Sequence, residues 1–212
     1  MITKEELKLY FEKGDQPTQE QFWEWMDSYW HKEEKIPQDA VETFEKVIPL
    51  FDGNNLIGSG IKLIIPSNTK KIFAAAYSYE GFNYQIREVI FNEGLEEIGQ
   101  YAFSNQNIKV IKTPSTLKLI GSNAFDSQSN TRGTGVLEKI ILNEGLIRIE
   151  DSVFLNYKAA VNDLYIPNTV QSVGKNAFLI PSLQAISAPA GLDLSASGIP
   201  ATAEITYRDL PE

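Results

Sequence analysis

Few side chains in this 212-residue chain can do covalent chemistry, and their placement points away from a catalytic centre. Cysteine is absent, which removes a disulfide framework and thiolate metal or redox chemistry. The single histidine, His31, stands beside Trp30 in a lysine- and glutamate-rich turn, where no Ser-His-Asp, Cys-His or multi-histidine site is expected. A helix C-terminus, whose dipole favours a cation, is its plain reading. Two carboxylate pairs, Glu96-Glu97 and Glu150-Asp151, have the residue types that a retaining or inverting glycosidase uses. Both fall at expected exposed turns and read as solvated surface. Acidic residues are scattered without a calcium-loop pattern, and no G-x-G-x-x-G or Walker motif occurs. The expectation is no catalytic residue, no metal site and no cofactor.

Binding chemistry is better represented. Phe22, Trp23, Trp25, Tyr29 and Trp30 lie within nine residues, more aromatic surface than a two-helix module of about thirty-five residues can bury internally. Trp23 and Trp25 fall off the main apolar stripe of Phe22, Met26, Tyr29 and Trp30. They either pack on the neighbouring domain or form an aromatic protein interface. The local elements are expected to be a helix over about residues 3–13, stopped at Gly14-Asp15 and Pro17, and a second starting at Thr18, with Gln21 completing a capping box and Pro37 ending it. Val41, Phe44 and Val47-Ile48 predict a third short helix over Asp39–Leu50, before the Asp52-Gly53-Asn54-Asn55 turn cluster.

The rest of the chain is a repeat array. Taking a Pro or Asn as anchor, copies begin at Pro66, Asn92, Pro114, Asn143 and Pro167, with a decayed sixth at Pro189. Six residues after each full anchor comes Ile72, Ile98, Ile120, Ile149 or Val173, and ten and eleven after come Ala76-Tyr77, Ala102-Phe103, Ala124-Phe125, Val153-Phe154 and Ala177-Phe178. The anchors are 26, 22, 29, 24 and 22 residues apart, a solenoid period with insertions confined to one loop. Brief β runs precede the anchors: Leu63-Ile64-Ile65, Val89-Ile90-Phe91, Ile140-Ile141-Leu142 and Leu164-Tyr165-Ile166. Each is too short to stand alone, but stacked about 4.8 Å apart they share one core. The five terminal aromatics are expected to form a buried column, not a ligand-stacking ladder. Gly99, Gly121 and Gly174 are read as sharp turn positions, and Thr202–Tyr207 as a strand closing the open end, with the third helix shielding the other.

Positions two and four before each anchor then face solvent: Lys62, Ile64, Glu88, Ile90, Val110, Lys112, Lys139, Ile141, Asp163 and Tyr165. Ile90, Ile141 and Tyr165 are apolar or aromatic where water favours polar residues. With Glu88, Lys112 and Lys139 they make a candidate recognition surface, while β-propensity on a sheet surface accounts for them equally well.

The stretch Ile86-Arg-Glu-Val89-Ile-Phe91-Asn92-Glu-Gly-Leu95-Glu-Glu-Ile98-Gly99-Gln-Tyr-Ala102-Phe103 resembles the bacterial BspA-like leucine-rich repeats, and the resemblance covers about residues 60–200. It implies a mainly β solenoid with a parallel sheet on one side, used for adhesion and for protein or surface recognition, without shared catalytic residues. Two departures stand out. Phe73 replaces the usual Gly in the first copy, and the last copy, ending Ser195-Ala-Ser-Gly-Ile-Pro200, lacks the aromatic. Separately, Leu7-Lys-Leu-Tyr-Phe11-Glu-Lys-Gly14-Asp15-Gln-Pro17-Thr18 with Asp27-Ser28-Tyr29-Trp30-His31-Lys32 is similar to a short N-terminal module of phage and prophage structural proteins from Bacteroidota. That resemblance implies anchoring to a larger particle.

The expected organisation is a helical docking module at residues 1–37, a capping helix and linker at 38–59, the solenoid at 60–200, and a capping strand and tail at 201–212. The expected role is a non-enzymatic virion component of tail, fibre or decoration type, assembled in the bacterial cytoplasm and oligomeric in the particle, whose partners are other virion proteins. A bacterial cell-surface adhesin that meets a receptor or glycan is the alternative. With 19 basic and 28 acidic residues the net charge of −9 repels a phosphate backbone, so nucleic acid is no partner. Met1-Ile-Thr-Lys-Glu-Glu-Leu-Lys lacks the apolar stretch of a secretory signal, and no window approaches about 18 apolar residues, so neither general secretion nor membrane insertion is expected.

Overall fold

A computed structural model describes residues 18–27, 46–52, 55–79, 85–127 and 137–209. The chain divides into two compact units, Met1–Glu42 and Thr43–Glu212. In the first, helix α1 (Gln19–Asp27) starts with the expected capping box: the Gln21 N–H donates to Thr18 Oγ1 at 3.3 Å while the Thr18 N–H donates to Gln21 Oε1 at 2.9 Å. The expected helix over residues 3–13 lies outside the described residues.

The second unit is built from β1 (Lys46–Asp52), β2 (Asn55–Ile64), β3 (Lys71–Ile72), β4 (Ile86–Ile90), β5 (Glu97–Ile98), β6 (Val110–Lys112), β7 (Leu119–Ile120), β8 (Lys139–Ile141), β9 (Arg148–Ile149), β10 (Asp163–Tyr165), β11 (Ser172–Val173), β12 (Ala185–Pro189) and β13 (Glu204–Arg208). It opens differently from the sequence expectation. Over residues 46–50 the predicted third helix of Asp39–Leu50 gives way to β1, which pairs antiparallel with β2 from Lys46↔Lys62 to Asp52↔Asn55, while residues 38–45 of that helix lie outside the described residues. Pro49 supplies the reason. It lies inside the proposed helix, where it would remove a backbone donor and clash with the preceding turn, whereas β1 is the outer strand of its sheet and tolerates proline.

Each of the next four coils, from β4 to β11, contributes one strand of three to five residues, one of two residues, and a turn that carries the aromatic. The two-residue strands form a continuous parallel ladder in the order β11-β9-β7-β5-β3. The longer strands fall into three ladders, β1-β2-β4, β6-β8 and β10-β12-β13, so no ladder joins β4 to β6 or β8 to β10. The final strand closes the stack as expected, pairing parallel with β12 from Ala185↔Glu204 to Pro189↔Arg208.

The anchor residues alternate Pro, Asn, Pro, Asn, Pro, and the bonding alternates with them. At an Asn coil the side chain reaches back: Asn92 Nδ2 donates to the carbonyls of Ser67 and Thr69 at 3.1 Å, and Asn143 Nδ2 donates to that of Thr113. The Glu and Gly that follow reach forward. Glu93 accepts from the Ser115 N–H and hydroxyl, while Gly94 N–H donates to Thr116 Oγ1 at 2.8 Å and that hydroxyl donates to Leu95 O at 2.8 Å. Glu144, Gly145 and Thr169 repeat this arrangement. Gly145 has φ +110° and a Cβ there would stand 2.1 Å from Ser115 O, so only glycine fits.

Gly99 and Gly121 have a different reason from the sharp turn expected of them. Neither is in the left-handed region; instead the coils approach so closely that a Cβ on Gly99 would lie 2.7 Å from Ala74 N and 2.8 Å from Ile72 O. β3 is the last strand of its sheet, so among the described residues no coil lies beneath the equivalent Phe73, which is 72% exposed.

The core is the set the repeat period selects. Leu95, Leu117 and Leu146 three after their anchors, Ile98, Ile120 and Ile149 six after, and Phe103, Phe125, Phe154 and Phe178 eleven after are all buried. Tyr77 and these four phenylalanines form one column, with centroids 5.4, 5.3, 5.6 and 5.8 Å apart and planes within 12° of parallel. Phe91 meets Phe103 edge-on at 5.7 Å, the geometry favoured by the ring quadrupole. Phe125→Ala should therefore cost about 3 to 5 kcal/mol, whereas Phe73→Ala should stay within about 0.5 kcal/mol. Urea unfolding measures both, and equal losses would contradict the column.

Candidate functional site

Strand pleating leaves two outward residues on each of β2, β4, β6, β8 and β10, and these make a surface of mixed charged and non-polar character. Ile64, Ile90, Val110 and Tyr165 are 41%, 42%, 40% and 42% exposed, and Ile141 is half-buried. Ladder register places Lys62 beside Glu88 and Ile64 beside Ile90, then Val110 beside Lys139 and Lys112 beside Ile141. The sequence-predicted set Glu88, Ile90, Lys112, Lys139, Ile141 and Tyr165 thus shares one face. Lys62 Nζ and a Glu88 carboxylate oxygen are 2.6 Å apart, an exposed pair worth at most about 1 kcal/mol. Its effect is to neutralise that end of the face.

At the other end Tyr165 is held by residues that sequence reasoning missed. Its hydroxyl donates to Glu144 Oε1 at 2.7 Å, and the Arg208 guanidinium lies 4.0 Å from the ring centroid. Arg208 also donates to Ser187 Oγ, to the Ile166 carbonyl and to Asn168 Oδ1, linking β13 to β12 and to the turn after β10. Desolvation pushes the Glu144 carboxyl up, but the Tyr165 hydroxyl, the Asn168 and Thr169 N–H groups and the Arg208 charge outweigh it and hold it below the ordinary carboxylate range. Burial first, and then the hydrogen bond to Glu144, push the Tyr165 hydroxyl above its usual value. Glu144 had a sequence signal, since Asn-Glu-Gly recurs at Asn92 and Asn143. Arg208 had none, because it arrives from a strand 42 residues beyond the Ile166 carbonyl it binds.

The carboxylate pairs considered for hydrolysis are engaged elsewhere. Glu96 pairs with Lys70 at 3.1 Å and Glu97 with Lys71 at 2.7 Å. Glu150 accepts from the Ser122 N–H and hydroxyl, and Asp151 accepts from the Lys175 N–H at 2.7 Å. These last two border an open depression of about 400 Å³ with Arg148 and Ser172, where their oxygens serve as caps for neighbouring coils. Among the described residues no group of three or more His, Cys, Asp or Glu is placed to hold a metal ion, and no helix is long and apolar enough to cross a membrane. Of the N-terminal aromatics, Phe22 and Trp23 are exposed on α1, which also carries Trp25; Tyr29 and Trp30, like His31, lie outside the described residues.

The sequence matches the family described as BspA type Leucine rich repeat region in six copies, over residues 57–184 and 132–199. Comparison with curated proteins returned no match. Among solved structures, the pneumococcal vaccine antigen PcpA is similar over 64% of this chain and 31% of its own, with 26% identity and a TM-score of 0.47. A leucine-rich repeat protein from Bacteroides ovatus is similar over 69% of this chain and 54% of its own, with 14% identity and a TM-score of 0.28. The chain spans under two thirds of the length of either.

The depressed Glu144 carboxyl contributes stability that is present above the ordinary glutamate value of about 4.3 and is lost as pH falls through the lower folded value. Glu144→Gln should therefore be less stable than wild type near neutrality and should lose less thermal midpoint on acidification from about pH 6 to about pH 3. Scanning calorimetry across that range checks it; parallel curves for the two proteins would remove Glu144 from the acid transition.

Proposed function

The chain belongs to the BspA-type leucine-rich repeat family, and from that premise we propose that it is a non-enzymatic recognition protein of adhesin type, acting at a bacterial cell surface. The observation that carries this reading is the outward face of the longer strands, where Ile64, Ile90, Val110 and Tyr165 are exposed together on successive coils. A solenoid suits such work because its stacked coils set side chains at a fixed spacing of about 4.8 Å along a rigid surface. Leucine-rich repeat families are in general binding scaffolds, and the engaged carboxylates of Glu96, Glu97, Glu150 and Asp151 support a role without hydrolysis.

A second reading gives α1 the attachment role. Phe22 and Trp23 are exposed there, as in an aromatic protein interface. In a phage or prophage particle the helix would dock the chain onto other virion proteins and leave the repeats outward. This virion reading rests on the N-terminal motif resemblance alone, since the family match begins at residue 57.

Beads coated with the protein and washed over arrays of extracellular-matrix proteins, bacterial surface proteins and capsular polysaccharides test the first reading. Retention should occur on at least one surface and fall about tenfold or more with Ile90→Arg or Ile141→Arg; retention unaltered by both changes would remove the face from function. Release of reducing ends from the polysaccharides, lost on mutating two neighbouring carboxylates, would make the protein an enzyme. For the second reading, Trp23→Ala should weaken particle incorporation by at least about 2 kcal/mol while leaving the melting temperature in place. The reverse pattern would assign Trp23 to packing.

A further inference from the structure

The ladder between β6 and β8 sets Val110 beside Lys139 and Lys112 beside Ile141. On the outward face this puts two ammonium groups on one diagonal and two aliphatic side chains on the other. Diagonal neighbours on a pleated face are about 7–8 Å apart, so the two cations repel one another, and a carboxylate between them relieves that repulsion. Other cations on or beside this face are already compensated: Lys62 by Glu88 at 2.6 Å and Lys109 by Glu138 at 3.1 Å. Among the described residues Lys112 and Lys139 belong to no ion pair, and neither does Asp163, the outward acid on β10. In a chain of net charge −9 this is a local reversal of sign at the centre of a half-apolar face.

Beside the diagonal the face dips. Where β4 and β6 share no ladder, a cleft of about 340 Å³ opens, walled by Ile90, Phe91, Val110, Lys112 and Pro114 and by two carboxylates already engaged, Glu88 with Lys62 and Glu93 with Ser115. It has room for aliphatic side chains of an extended chain. Resting on the reading of this face as a recognition surface, we propose that its partner is a protein presenting an extended acidic-aliphatic segment. A carboxylate of that segment sits between Lys112 and Lys139, and a neighbouring aliphatic side chain fills the cleft against Ile90, Val110 and Pro114. An acidic polysaccharide would satisfy the lysines too, but sugar rings are gripped by open aromatic faces. Tyr165, the one aromatic in the outward columns from β2 to β10, already has the Arg208 guanidinium over its ring.

The test titrates the full chain into a fluorescein-labelled peptide of alternating Asp and Val, followed by anisotropy, with alternating Ser-Val peptide and oligogalacturonate as comparison probes. The Asp-Val peptide should bind, weaken as salt is raised, and lose about tenfold or more affinity to the Lys112→Glu, Lys139→Glu double variant at unchanged thermal midpoint. Lys112→Gln alone gives a smaller loss and serves if the double variant does not fold. No Asp-Val binding, binding indifferent to the charge reversal, or preference for oligogalacturonate would each overturn the proposal. Equal binding of Ser-Val and Asp-Val, lost in Ile90→Arg, would overturn the acidic partner while leaving the recognition face standing. If no probe binds and Ile90→Arg also leaves bead retention unchanged, both fail. A dimer seen by sedimentation that dissociates on the same double substitution would assign the lysines to a second copy and overturn it as well.

Discussion

Backbone hydrogen bonding between successive coils is the constraint from which the rest of the repeat unit follows. A two-residue strand such as β5 or β7 has no stability of its own, and its N–H and C=O groups find partners only in the coils on either side. The requirement extends to the turns. Tyr77, Phe103, Phe125, Phe154 and Phe178 each donate a backbone N–H to the next coil at 2.8 to 3.0 Å, which holds consecutive aromatics at a separation where their rings stack. Any side chain that pushed two coils apart would break these bonds in series, and so the close-approach position is glycine at Gly99 and Gly121.

The alternation of Pro and Asn anchors adds a second level of order. Steps from a Pro coil to an Asn coil, β2 to β4 and β6 to β8, are bridged by strand ladders; steps from an Asn coil to a Pro coil, β4 to β6 and β8 to β10, are not. At those openings the glutamate after the Asn takes over, Glu93 on Ser115 and Glu144 on Asn168 and Thr169. The continuous ladder of the short strands keeps the coils together behind each opening. The face is thereby divided into ladder-paired plates with a cleft between them, which distinguishes it from a smooth sheet and sets Ile90 and Lys112 on opposite lips.

The proposed recognition role is tied to this surface through what the core cannot absorb. The inward positions are filled by Leu, Ile, Val and Phe at nearly complete burial, so the outward isoleucines are surplus to folding. Tyr165 shows how one residue serves both sides, with its ring on the exposed face and its hydroxyl in the Glu144 cap. The Arg208 contact ties the last strand to the fifth coil and closes the stack where the repeat motif has decayed.

The amino-acid sequence by itself determined the period, the anchor positions, the aromatic column, the closing strand and which residues point outward, because each depends only on spacing along the chain. Its reading of residues 46–50 failed because Val41, Phe44 and Val47-Ile48 satisfy a helical period while Pro49 satisfies an edge strand, and spacing does not weigh the two. Tertiary structure alone decided the left-handed residues nine after each anchor: Ala75, Tyr101, Asn123, Ser152 and Asn176 all have φ of 56° to 58°. Only two of the five are asparagines, the type that tolerates this region, so composition gives no warning. The strain is held by N–H groups that each donate to a carbonyl in the next coil. Tertiary structure likewise decided the Arg208 clamp, the unladdered openings and the uncompensated Lys112–Lys139 diagonal. All of these depend on which residue of one coil lands against which residue of the next, a relation that exists only once the coils are stacked.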